Sequence, residues 1–123
     1  MKKKISILVL IVLVFSMSTL LVACNSEAKY AKKLAKLGYS IEQEGGKFYD
    51  SDIKGGYRRL KAEKNDEYVI IKIFDNVDDA KIEYSDIMSS DFMSDKDNKH
   101  SVYRDGKVVI YGTKGAVNDA RSK

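Results

Sequence analysis

The chain has 123 residues, 22 of them Lys or Arg and 18 Asp or Glu, with one His, one Cys and neither Pro nor Trp. That length holds one modest domain and leaves no room for a multidomain enzyme. One His and one Cys supply neither a four-ligand zinc site nor a disulfide framework, so the core alone must hold any fold.

The first 23 residues read apart from the rest. Lys2, Lys3 and Lys4 form a basic start, and Ile5 to Phe15 is apolar at every position but Ser6, with an unbroken run of nine from Ile7. Ser16, Met17, Ser18 and Thr19 then lower the hydrophobicity ahead of Leu21-Val22-Ala23-Cys24. This arrangement resembles the signal peptide and lipobox of bacterial lipoproteins. The resemblance implies cleavage between Ala23 and Cys24, a diacylglycerol on the Cys24 thiol, and in some hosts a third chain on the freed amine. One acyl chain binds a membrane with only about 10⁴ M⁻¹, whereas two or more hold a protein there stably. An uncleaved helix is a second reading, since Ile5 to Ala23 is 19 residues long. A secreted protein with a chance Cys is a third.

By the resemblance the protein is extracytoplasmic and lipid-anchored, on the outer leaflet of the cytoplasmic membrane in a Gram-positive host or at the outer membrane in a Gram-negative one. The expected organisation is a signal peptide over 1–23, the lipidated Cys24 with a tether through Ser26, and a single domain over 27–123. Three of the 22 basic residues precede Cys24 and all 18 acidic ones follow it, so the chain from Cys24 onward carries +1. A near-neutral domain leaves no nucleic-acid footprint, and nucleic acid is not an expected partner. Leu, Ile, Val and Phe number only 20 after Cys24, but all eight Tyr lie there and add partly apolar bulk to the core.

Glu27 to Leu37 carries Tyr30, Leu34 and Leu37 at helical spacing, with Ser26 as N-cap and Gly38 just past the end. Tyr39 to Glu44 alternates weakly, as a strand, and stops at Gly45-Gly46. Residues 47 to 56 carry no usable pattern. Tyr57 to Lys64 and Glu67 to Phe74 then read as two strands joined by Asn65-Asp66. Such a loop sets Lys64 opposite Glu67 and, at the far end, Tyr57 opposite Phe74. Leu60, Ala62, Val69, Ile71 and Ile73 gather on the core face. Asn76 caps a helix through Met88, with Asp79 at its third position and Val77, Ala80, Tyr84, Ile87 and Met88 on one stripe.

A polar loop over 89–99 leads to a second hairpin, His100 to Arg104 and Lys107 to Tyr111, about Asp105-Gly106. Thr113 caps a short helix around Ala116 to Ala120. The expected fold is α+β: a small antiparallel sheet of four to five strands built from two hairpins and packed with two main helices. The order is α-β-β-β-α-β-β with a short C-terminal helix, and the helices lie on one side of the sheet.

Several chemistries fail on spacing. Asp50-Ser51-Asp52-Ile53-Lys54-Gly55 opens like a calcium loop, but Lys54 holds its fifth place and Lys61 its twelfth, where a bidentate Glu is needed. Asp95, Asp97 and Asn98 are followed by Lys99 in the fifth place. No metal and no cofactor is expected. Gly45-Gly46 and Gly55-Gly56 lack phosphate-loop spacing. His100 falls opposite Tyr111 as an ordinary cross-strand pair, and no carboxylate pair is singled out for acid–base work. Catalysis is not the expected role.

The sheet face opposite the core is unusually aromatic and basic. It collects Tyr57, Arg59, Tyr68, Lys72 and Phe74 from the first hairpin and Arg104 and Tyr111 from the second, a candidate binding face. Arg59 opposes Lys72 and Arg104 opposes Lys107, like charges that weaken a pair by about 0.2–1 kcal/mol. Either the helices cover this face and the charges splay into water, or it docks a partner through its aromatic and Arg anchors. Docking through the aromatics requires Tyr57, Tyr68 and Tyr111 to stand open. The expected function is a non-catalytic interaction module that binds another envelope protein, inhibition or exclusion of phage included. The alternatives are capture of an anionic polymer or small molecule at Arg59 and Lys72, and a small carboxylate-dependent hydrolase.

Overall fold

The computed structural model describes residues 25–43, 47–49, 53–93 and 99–122. The lipobox segment, Asp50 to Asp52 and Asp95 to Asn98 lie outside them. The elements are α1 (Asn25–Lys36), β1 (Ser40–Gln43), β2 (Phe48–Tyr49), β3 (Gly56–Lys64), β4 (Glu67–Phe74), α2 (Val77–Met88), β5 (His100–Asp105), β6 (Val108–Thr113) and α3 (Lys114–Arg121). Their order is the expected one with the short strand β2 added. The strands form a six-stranded antiparallel sheet in the order β1-β3-β4-β6-β5, with β2 also pairing β3. That extra strand sets Phe48 opposite Tyr57, in the stretch where the sequence pattern is blank. Helix α1 takes in Asn25 and Ser26, so the expected tether is part of the helix.

The β3–β4 hairpin keeps the expected register from Lys64–Glu67 to Tyr57–Phe74. In the second hairpin the turn falls one residue later than expected. Gly106 and Lys107 make it, Asp105 pairs Val108, and His100 faces Thr113 rather than Tyr111. Gly106 takes a φ of 59° at the first turn position, where glycine bears no steric cost, and the ladder gains pairs at both ends. The partner shift is two residues, so the side chains that stay in the ladder keep their expected faces, while Lys107 moves into the turn. Arg104, however, opposes Val109 and not Lys107, and the second like-charge pair does not form.

Both faces of this sheet are covered, and the expectation of helices on one side is corrected. Helices α1 and α3 close one face over a core of Leu34, Leu60, Val69, Ile71, Ile110 and Val117. Helix α2 lies on the other, where Ala80 packs with Phe74 and Val109, flanked by Tyr57, Tyr84, Val102 and Tyr111. The reason is compositional: Phe74, Val109 and Val102 make the second face too apolar to leave to water.

Polar anchors fix each helix. The Asn76 side chain accepts from Asp79 N at the start of α2, as its sequence pattern requires. Thr113 is the N-cap residue of α3 but makes no side-chain cap. Glu67, remote in sequence, accepts from Ala116 N at 2.8 Å and from the Thr113 hydroxyl at 2.5 Å. Gly112 faces Val69 with a φ of 156°, and a Cβ there would stand 2.2 Å from the Tyr68 carbonyl oxygen, so only glycine lets β6 approach β4.

The sheet has two distinct ends. At one, the β3–β4 turn meets the end of α1, where Lys64 Nζ donates to Leu37 O at 2.8 Å, and the start of α3 at Glu67. At the other lie the β5–β6 turn, joined to β4 by Phe74 N donating to Lys107 O at 2.9 Å, and the last turn of α3, with Arg121 over Tyr103. The first turn of α1 is at this second end. Strand β4, eight residues long, separates the two by roughly 25 Å.

Candidate functional site: a sheet face divided by a helix

Helix α2 lies across β4, β5 and β6 and makes no comparable contact with β1 or β3. This splits the candidate face. Running out from beside α2, the rings of Phe74, Tyr57 and Phe48 form a row across three strands, with centroids 5.2 and 5.5 Å apart. Phe74 is buried, so it is core and not a docking residue. Lys72 sends its ammonium up between the Tyr57 and Tyr111 rings, 5.0 and 5.6 Å from their centroids, to an ion pair with Glu83 of α2. Burial pushes Lys72 down, but the hydrogen bond to Glu83 and the neighbouring oxygens of Tyr111, Glu83 and Tyr57 outweigh it and leave it above its ordinary value. The Arg59–Lys72 opposition is present in the ladder, and it is tolerated because Lys72 has an acid to go to.

The strip over β1, β3 and the start of β4 is not under α2. Lys61, Tyr68 and Ile70 line a shallow open hollow of about 350 Å³ there, beside the β3–β4 turn. Lys61 pairs with Glu63 at 2.9 Å, and Arg59 is half-buried farther along β3. Tyr68 leans on the His100 ring at 6.0 Å, and Phe92, beyond the end of α2, packs on His100 at 4.5 Å and edge-on to Tyr111 at 5.6 Å.

The face foreseen from the sequence thus holds two groups. Tyr57, Lys72, Phe74 and Tyr111 are brought together under α2, while Tyr68 and Arg59 belong to the open strip. Tyr57, Tyr68 and Tyr111 are all half-buried, so the openness that docking through all three requires is not found. Arg104 stands apart near the β5–β6 turn, where its guanidinium donates to Gly106 O at 3.0 Å. Sequence reasoning missed Glu83, Phe92 and Lys61. Strand alternation could have found Lys61, which faces Ile70 across the ladder. Glu83 and Phe92 reach the sheet only through the path of α2, which no local pattern encodes.

The buried carboxylates are structural. Asp79 accepts from Lys54 N (3.0 Å), Gly55 N (2.8 Å) and Asn76 Nδ2 (2.9 Å), pinning the loop before β3 to α2. Burial pushes its carboxyl up, and these hydrogen bonds more than reverse that, holding it below its ordinary value. Glu27 goes the other way: burial raises it, against the opposing Arg58 charge and the Gln43 amide. Among the described residues no group of three or more His, Cys, Asp or Glu gathers closely enough to hold a metal ion. Comparison with protein-family models, curated proteins and solved structures finds no match.

Proposed function

We propose that the chain is a lipoprotein of the cell envelope, exported by residues 1–23 and held through lipid on Cys24. In this reading it is a non-catalytic module that docks an envelope protein on the open strip. The observation that supports it best is polarity. Helix α1 begins at Asn25, the residue after Cys24, and its first turn lies at one end of the sheet. Lys61, Tyr68 and Ile70 lie at the other, beside the β3–β4 turn. A lipid on Cys24 would therefore set the strip roughly 25 Å out, facing arriving proteins rather than the bilayer.

The local chemistry favours a protein over an anionic polymer. Lys72 is already paired with Glu83 and Lys61 with Glu63, which leaves little unopposed charge for a polyanion. What remains is an aromatic and an aliphatic side chain with a polar rim, the make-up of a protein-docking centre. The test is recovery of the partner from solubilised membranes by the tagged full-length protein, at low and high salt. The reading predicts recovery that persists at high salt and is lost in Ile70→Glu at unchanged melting temperature. Recovery that collapses with salt and ignores Ile70→Glu would contradict it and turn attention to a polyanion.

A further inference from the structure

The end of the molecule where α1 starts has its own chemistry. An open groove of about 740 Å³ runs between the first turns of α1, the β5–β6 turn and the last turn of α3. Lys29, Lys33, Lys107 and Arg121 line it, against Asp105 as the carboxylate in its wall. Lys33 Nζ donates to Ala120 O at 2.9 Å, and the Arg121 guanidinium lies 3.8 Å over the Tyr103 ring. A carbonyl and a ring orient these cations without neutralising them. Burial, and then the like charge of Lys29, hold Lys33 below its ordinary value, as expected where positive charge is crowded. Tyr49, 75% exposed, stands at the same end, opposite Gly56 at the start of β3.

We propose that this groove seats the anionic headgroup of a membrane phospholipid, so that the α1 start and the β5–β6 turn rest on the bilayer. The inference rests on the lipid-anchor reading. Charge complementarity argues for it: guanidinium and ammonium groups are the standard partners of a phosphate, and each basic side chain at an anionic surface strengthens binding roughly five-fold. Position argues for it as well. Ser26 lies in the groove wall, only two residues past Cys24, which places the groove within about 7 Å of extended chain from the acyl chains. Tyrosines such as Tyr49 prefer the headgroup level of a membrane, with the ring body toward the lipid and the hydroxyl in water. Acyl chains and a basic surface are together the two signals that make anchoring firm.

The test is amine footprinting of the full-length protein extracted from membranes. Its intact mass first reports whether Cys24 is acylated. The protein is then placed in phosphatidylcholine nanodiscs with or without phosphatidylglycerol and acetylated. Lys29 and Lys107 should react roughly five-fold more slowly when phosphatidylglycerol is present, while Lys81 on α2 and Lys114 at the far end should not change. The exposed double variant Lys29→Glu, Lys107→Glu should abolish the accompanying protection of Lys33. Equal reactivity of Lys29 and Lys107 in both discs would overturn the proposal. Protection by soluble glycerol phosphate in neutral discs, with none from phosphatidylglycerol, would overturn it in favour of a soluble ligand. Protein that carries no acyl chain sinks the anchor reading. Offered vesicles of the same two compositions, it still decides the groove by the same Lys29 and Lys107 readout.

Discussion

The ammonium of Lys72 on β4 and the carboxylate of Glu83 on α2 meet between the rings of Tyr57 and Tyr111. This pair joins α2 to the sheet and turns half of an aromatic, basic face into an internal interface. Removing one partner leaves the other charge half-buried and unpaired, whereas removing both does not. Lys72→Met and Glu83→Gln should each destabilise the domain, and the double variant should lose less than their sum. A coupling of about 1–2 kcal/mol from denaturant unfolding is the expected result. Because folding raises Lys72, the contribution is complete below the ordinary lysine value and fades as pH climbs through the folded one.

Glu67 does for α3 what Thr113 does not. Its carboxylate serves the Ala116 N–H and the Thr113 hydroxyl, tying the start of β4 to the start of α3. Glu67→Ala should cost about 1–2 kcal/mol by thermal or urea unfolding, and Thr113→Val less.

The close approach of β6 to β4 at Gly112 leaves no space for a side chain. Gly112→Ala should destabilise by about 3 kcal/mol, through strain at a positive φ and collision with the Tyr68 carbonyl. Gly106→Ala, in a turn with nothing within 4 Å of a Cβ, should cost clearly less.

Asp79 sets an acid limit. Its folded value lies below the ordinary 3.8, so its stabilising contribution is complete above that value and is lost as pH falls through the folded one. Melting temperatures measured from neutral pH downward should drop through the carboxylate range. In Asp79→Asn, already less stable at neutral pH, the drop should be shallower.

Local rules made much of this fold readable. Asn65-Asp66 fixes the β3–β4 register, and Asn76 with Asp79 marks the start of α2. The second hairpin is one residue off because Asp105-Gly106 and Gly106-Lys107 are both workable turns, and the longer ladder decides between them. The side of the sheet that α2 covers was not readable, since Phe74, Val109 and Tyr111 are equally consistent with a buried face and a sticky one. Lys72 shows why: hairpin register places Arg59 opposite it, but its charge partner Glu83 comes from an element whose direction depends on the whole core. Of the candidate site, Arg59 and Tyr68 belong to the open strip, and the other aromatics were claimed by α2.

In the proposed role the open strip docks an envelope protein while Cys24 holds the chain at the membrane. The decisive measurement is photo-crosslinking in intact cells, with the crosslinking residue placed at Tyr68 or, as a control on the exposed side of α2, at Ile82. One dominant protein adduct is expected from position 68, absent from position 82 and abolished by Ile70→Glu or Cys24→Ala. No adduct from position 68 while the protein sits at the membrane, or the same adducts from both positions, would contradict it.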